Sequence, residues 1–261
     1  MKIAYICVVN PQDNDVILDN IIYYYNLGIK DFYIMLHKPD SELKGILYFQ
    51  NNPKMCSEID VRFFYNDKDE HYHEKDCKFL TNKAIADGFD WIIGTDADEL
   101  LILKQHKTIQ DFCSEFAYNY GSLHFNWFEY RPVVDVYEKA FVNMKLREPI
   151  PRIQTKSVGK FNSQMSYVPG LHYIENSPEV ITISPDVAFY AHFSDRNEKQ
   201  YIDKMSLQAI NWSQRYGKHS HWAEKMIEDD PGGLKKLWDL QIHQNNNKDL
   251  LFDPIQKEMF I

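Results

Sequence analysis

With 261 residues, 44% of them hydrophobic, and a formal charge of −9, the chain can bury a substantial core. The same charge excludes a nucleic-acid groove, which needs clustered cations. No apolar run reaches the length of a membrane span, and Cys7, Cys56, Cys77 and Cys113 have no paired spacing. Buried thiols and a cytoplasmic setting are the expectation.

In chain order, Lys2 to Val9 is a continuous apolar run that predicts a strand buried on both faces, not a secretory leader. Asp15 can cap a helix through Tyr25 that Gly28 ends. Asp31 to His37 predicts a second strand, Ser41 to Asn51 a helix, and Ile59 to Tyr65 a third strand. His73 to Asp87 has helical periodicity and stops at Gly88. Alternation of this kind predicts a mostly parallel α/β sheet with helices on both faces, binding its ligand beyond the carboxyl ends of the strands.

At such an end stands Trp91-Ile-Ile-Gly-Thr-Asp96-Ala-Asp98-Glu99-Leu-Leu101, an apolar strand closing in three carboxylates. Like charges this close call for a cation. If the chain stays extended, Asp96 and Asp98 point the same way and can share an ion, while Glu99 points away. A polar strand end is the plainer alternative. Its position inside the alternating half favours a site.

Thr108 to Tyr118 predicts a helix and Ser122 to Phe128 a strand; from there to Phe193 the pattern is irregular and rich in proline. Strand-like pieces remain at Val180–Ser184 and Val187–Phe193. Asp195 to Glu198 has capping-box spacing before a helix ending at Gly217, and a last helix runs from Leu234 to about His243. Asn245 to Asn247 reads as a polar loop. Three parts follow: 1–135 as a ligand-binding α/β half, 136–195 completing the same domain, and 196–261 as a helical extension.

Polar residues near strand ends could join the carboxylates: Asn10 and Asp13, His37 and Asp40, His71 and His73, and His192. Lys75 is a further candidate near the third strand, as is Lys204 in the helix after His192. Lys156, Lys160 and His172 are weaker candidates, since surface lysines are usually solvated. The Gly-rich fingerprint of dinucleotide sites, the Walker loop and the nucleophile elbow are all missing.

Four pieces together carry a resemblance. They are Ile17-Leu-Asp-Asn20 with Tyr24 to Ile34, the aspartate motif Trp91 to Leu100, Lys156-Ser-Val-Gly-Lys160 with Gly170-Leu-His172-Tyr173, and His192 to Lys204. In these the chain resembles the family-2-like glycosyltransferases, a group that includes family 92 (domain of unknown function 23). The resemblance implies a glycosyltransferase-A fold, with a Rossmann-like, mostly parallel central sheet flanked by helices and a C-terminal helical region. It implies a nucleoside-diphosphate sugar donor, most often a UDP-sugar, with Mn2+ or Mg2+. By position, Asp98 would hold the metal with His192, and Asp96 would assist or contact the ribose beside Ala97. Val9 to Asp13 would hold the uracil, and Lys204 would meet phosphate.

Glu129 is the candidate general base, with Asp135 behind it, although the family has glycine at the position of Glu129. The acceptor would be a saccharide or lipid-linked saccharide of bacterial surface-glycan assembly, and Leu234 to Trp238 could touch a membrane peripherally. The alternatives are a metal-dependent nucleotidyltransferase and a non-catalytic carbohydrate-binding protein.

Overall fold

The structure, a computed structural model, describes residues 1–37, 57–66, 73–116, 120–162, 165–167, 171–177, 179–206 and 232–260. The expected helix at Ser41–Asn51, and the candidates Asp40 and His71, lie outside the described residues. The chain divides into two compact units. The first comprises Met1–Glu129, Ile150–His192 and Gln256–Ile261; the second comprises Tyr130–Pro149 and Phe193–Ile255.

The first unit is an α/β fold on a mixed, mostly parallel sheet flanked by helices. Its strands are β1 (Ile3–Val9), β2 (Asp31–His37), β3 (Asp60–Asn66), β4 (Trp91–Asp96), β5 (Glu99–Leu103) and β6 (Ser122–Glu129), with β8 (Thr155–Lys160), β11 (Val180–Ile183) and β12 (Ala188–His192) completing the sheet. The short strands β9 (Ser166–Tyr167) and β10 (Ile174–Glu175) pair with each other, and β7 (Leu146–Arg147) belongs to the second unit. The order is β3-β2-β1-β4-β8-β6-β12-β5, with β11 paired to β6. From β3 to β4 every pairing is parallel, as the alternating pattern predicts. Every residue of β1 is buried, and so are six of the seven in β2, which matches their unbroken apolar runs.

Helices α1 (Ile17–Asn26), α2 (His73–Ala86) and α3 (Ile109–Phe116) connect these strands. Asp15 does not cap α1. A 3-10 turn at Pro11–Asp13 precedes it, and Val16 stands at the cap with no side-chain bond. Gly28 does end α1, at φ 98, a left-handed conformation that glycine adopts without strain.

Strand β8, from a stretch read as irregular, is inserted antiparallel between β4 and β6, with Ile93 opposite Val158 and Phe125 opposite Lys156. The aspartate motif is not extended throughout: β4 stops at Asp96, Ala97 and Asp98 turn, and β5 begins at Glu99. The two-residue alternation that placed Asp96 with Asp98 and set Glu99 apart therefore fails.

In the second unit a helix occupies 198–206 and another spans Gly233–Asn246. The first is capped by Asn197, whose Oδ1 accepts the Gln200 amide at 2.9 Å, two residues later than the capping box placed it. Asn245, read as loop, is helical and buried, and donates to the Pro132 carbonyl at 2.8 Å. Leu234 and Trp238 are also buried, and the Trp238 and Tyr201 rings lie tilted with centroids 5.3 Å apart, so this face of the helix is packed. No helix among the described residues is long and apolar enough to cross a membrane.

Candidate metal centre

The backbone register of the first unit assembles the site. At the end of β12, His192 is the partner of Glu99 on antiparallel β5 and of Glu129 on parallel β6. Directly opposed residues share a sheet face, so Glu99, His192 and Glu129 form a row across three strands. The turn after β4 adds Asp98. His192 Nδ1 lies 3.0 Å from Glu129 Oε1, and its Nε2 lies 3.5 Å from Asp98 Oδ2.

A second cluster adjoins the first. Asp96 meets His73 Nε2 at 2.9 Å through Oδ1 and Lys156 Nζ at 2.9 Å through Oδ2. The same ammonium lies 2.7 Å from Glu99 Oε1. Glu99 Oε2 accepts the Asp96 amide at 3.2 Å, closing the turn from inside.

The turn is also fixed from behind. Asn20, fully buried on α1, donates through Nδ2 to the Ala97 and Glu99 carbonyls, each at 3.0 Å, and accepts from the Tyr5 hydroxyl. Gly94 answers a different demand. Tyr167 packs so close that a Cβ at Gly94 would meet its ring at 3.0 Å, and the Gly94 amide donates to the Tyr167 hydroxyl at 3.1 Å.

The electrostatics follow from burial and these pairings. Burial opposes a charged His192, but Glu129 and Asp98 outweigh it and push its pKa up to about 10. Burial would raise Asp96, yet Lys156 and His73 hold it well below the carboxylate range. Burial, offset in part by Lys156, pushes Glu99 up to about 7. His192 is therefore an imidazolium between two carboxylates at neutral pH. Half-buried His172 is shifted the other way by burial and by Lys156, and its Nδ1 bonds the Thr155 carbonyl at 3.0 Å.

Asp98, Glu99 and His192 offer one ligand atom each, all within 4.8 Å of one another. Two carboxylates and an imidazole are a donor set that could hold a divalent metal ion. Such an ion would replace the His192 proton as the balancing charge, so the residues present fit it.

The remaining candidates fall as follows. Val9 and Ala97 are buried, Val9 at the end of β1 and Ala97 within the turn. Asn10 opens the 3-10 turn with its Oδ1 buried and unpaired, and Asp13 is buried at the close of that turn. His37 is buried at the end of β2. Exposed Lys75 borders a cavity of ≈ 390 Å³ with Asn66 and Asp76.

Asp135 and Lys204 belong to the second unit. Asp135 Oδ1 accepts the Glu198 amide at 2.8 Å and the Trp238 indole at 3.1 Å, tying the first turn of the 198–206 helix to the Gly233–Asn246 helix. Lys204 donates to the Ser194 carbonyl at 2.9 Å. Sequence reasoning undervalued Glu99, Lys156 and His73 and missed Asn20 as a support of the turn. Asn20, Glu99 and Lys156 each lie inside one of the four sequence pieces, and His73 stands near the end of the third strand.

No family model matches the chain, and no curated protein matches it. Among solved structures, a UDP-glucose pyrophosphorylase complexed with UDP-glucose is similar at 9% identity and a TM-score of 0.33, covering 74% of this chain and 90% of that one. A likeness this slight transfers neither ligand nor activity.

Proposed function

We propose that the chain is a metal-dependent glycosyltransferase that moves a sugar from a nucleoside diphosphate, with UDP the first choice, to a saccharide or lipid-linked acceptor. The observation that carries the reading is the convergence of Asp98, Glu99 and His192 where β4 ends, on a turn held by buried Asn20. The aspartate motif and the order of the four sequence pieces support it further.

In this reading Asp98 and His192 hold the ion, with Glu99 behind them. Bound there, the ion would neutralise the charge that grows on the departing diphosphate. Lys156 and His73 fix Asp96, leaving it a supporting role. Val9 to Asp13, following the strand beside β4, would meet the base. Glu129 is enclosed and engaged by His192, with Arg152 Nε at 3.6 Å, which suits it to orient the imidazole rather than to take a proton from an acceptor.

A panel of UDP-sugars tests the proposal, assayed for hydrolysis and binding with and without Mn2+ on wild type and Asp98→Ala. Metal-dependent turnover of one sugar nucleotide, lost in Asp98→Ala, is expected. Pyrophosphate-dependent release of a nucleoside triphosphate would instead mark a nucleotidyltransferase. Failure of every sugar nucleotide to bind under any metal would end the reading.

A further inference from the structure

Lys156 is the most enclosed lysine described, at 1% exposure, and it projects from the strand inserted between β4 and β6. Its ammonium lies 2.9 Å from Asp96 and 2.7 Å from Glu99, and 5.3 Å from the Trp127 ring. Burying an ammonium is costly unless anions meet it, and here two do, which holds its pKa above the ordinary lysine value. Thus enclosed, it would have to abandon both carboxylates to reach a substrate.

Four carboxylates gather here, and the positive groups divide them. Asp96 and Glu99 fall to Lys156, with His73 also on Asp96, while Asp98 and Glu129 fall to His192, with Arg152 Nε 3.6 Å from Glu129. Both Glu99 oxygens are already engaged, one by the ammonium and one by the Asp96 amide. A fixed positive charge one carboxylate away repels a divalent ion and weakens the shared carboxylate as a donor.

We propose that Lys156 is a built-in counter-cation that keeps Asp96 and Glu99 from full metal coordination and so limits the affinity of the site for a divalent ion. It is a positioning residue. The proposal rests on reading Asp98, Glu99 and His192 as a metal site. It explains how the fold keeps this many acids buried before any ion arrives.

The test is direct titration of nucleotide-free protein with Mn2+, followed by calorimetry and by the paramagnetic signal of the free ion. Lys156→Met should bind Mn2+ about tenfold or more tightly than wild type, or gain a second equivalent. Lys156→Arg, which keeps the charge, should bind as wild type does. The double variant Lys156→Met with Asp96→Asn should lose much of the gain. If Lys156→Met does not fold alone, Mn2+ supplied during refolding should restore it, and a fold that Mn2+ does not restore overturns the proposal.

Wild-type binding with no gain in folded Lys156→Met would overturn the role of Lys156 and leave the metal site standing. Binding by Lys156→Met and not by wild type would support Lys156 as a substitute cation and remove the metal-dependent function. If neither binds, both ideas fall.

Discussion

His192 and Glu129 are register partners on neighbouring parallel strands, and His192 Nδ1 meets Glu129 Oε1 at 3.0 Å. That bond commits Nδ1 and leaves Nε2 facing Asp98. A carboxylate behind an imidazole ligand fixes both ring orientation and tautomer, and losing it typically weakens metal binding by about 10–100-fold. Glu129→Gln should therefore reduce Mn2+ affinity by about that factor while the far-ultraviolet circular dichroism stays unchanged. If Glu129 is instead the base, the same variant abolishes transfer and leaves Mn2+ affinity intact.

The His192 proton gives a pH signature. Its pKa in the folded protein, about 10, is raised above the ordinary 6.5. The stability it contributes is thus fully present below about pH 6.5 and is lost as pH rises through about 10. Melting temperature without metal should decline across that interval, and His192→Gln should flatten the decline. Because an ion must displace this proton, Mn2+ affinity should rise over the same range, with proton release detectable by calorimetry in buffers of different ionisation enthalpy.

Asp96 and Asp98 should separate by phenotype. Asp98→Asn removes a ligand, so Mn2+ binding should fall sharply. Stability should fall less than in Asp96→Asn, because the His192–Asp98 pair at 3.5 Å is longer than the 2.9 Å pairs of Asp96. Asp96→Asn weakens the pairing of Lys156 and His73, and should cost roughly 1–3 kcal/mol in denaturant unfolding. The ordering of the two effects is the check. Equal losses of stability would contradict the division of roles.

Asn20 bonds carbonyls on both sides of Asp98 from a helix 77 and 79 residues distant in sequence. Asn20→Ala leaves buried carbonyls unpaired, which should cost about 1–3 kcal/mol. It should also loosen Mn2+ binding, although Asn20 is placed nowhere near the ion as a ligand. Denaturant melts and Mn2+ titration of the same preparation would separate the two effects.

That distance explains what the sequence could and could not disclose. The parallel half was legible because β1, β2 and β4 are apolar runs and α1 ends at Gly28, all local signals. The turn at Ala97–Asp98 was not, because Asp-Ala-Asp suits a strand as well as a turn and the choice is enforced by Asn20 from elsewhere. Strand β8 was hidden for a related reason. Thr155-Lys-Ser-Val-Gly-Lys160 has one large apolar residue, and its strand character comes from filling the gap between β4 and β6. Asp98 and His192 were foreseen as neighbours through the resemblance. The pairing of Lys156 with Asp96 and Glu99 was not, since a lysine flanked by Thr and Ser gives no sign of burial.

The most direct test is equilibrium binding of UDP to wild type and Asp98→Ala, with Mn2+ and with chelator. The account predicts that wild type binds UDP only with Mn2+ and that Asp98→Ala loses the metal-dependent part. UDP binding of equal strength in chelator, or unchanged by Asp98→Ala, would contradict it.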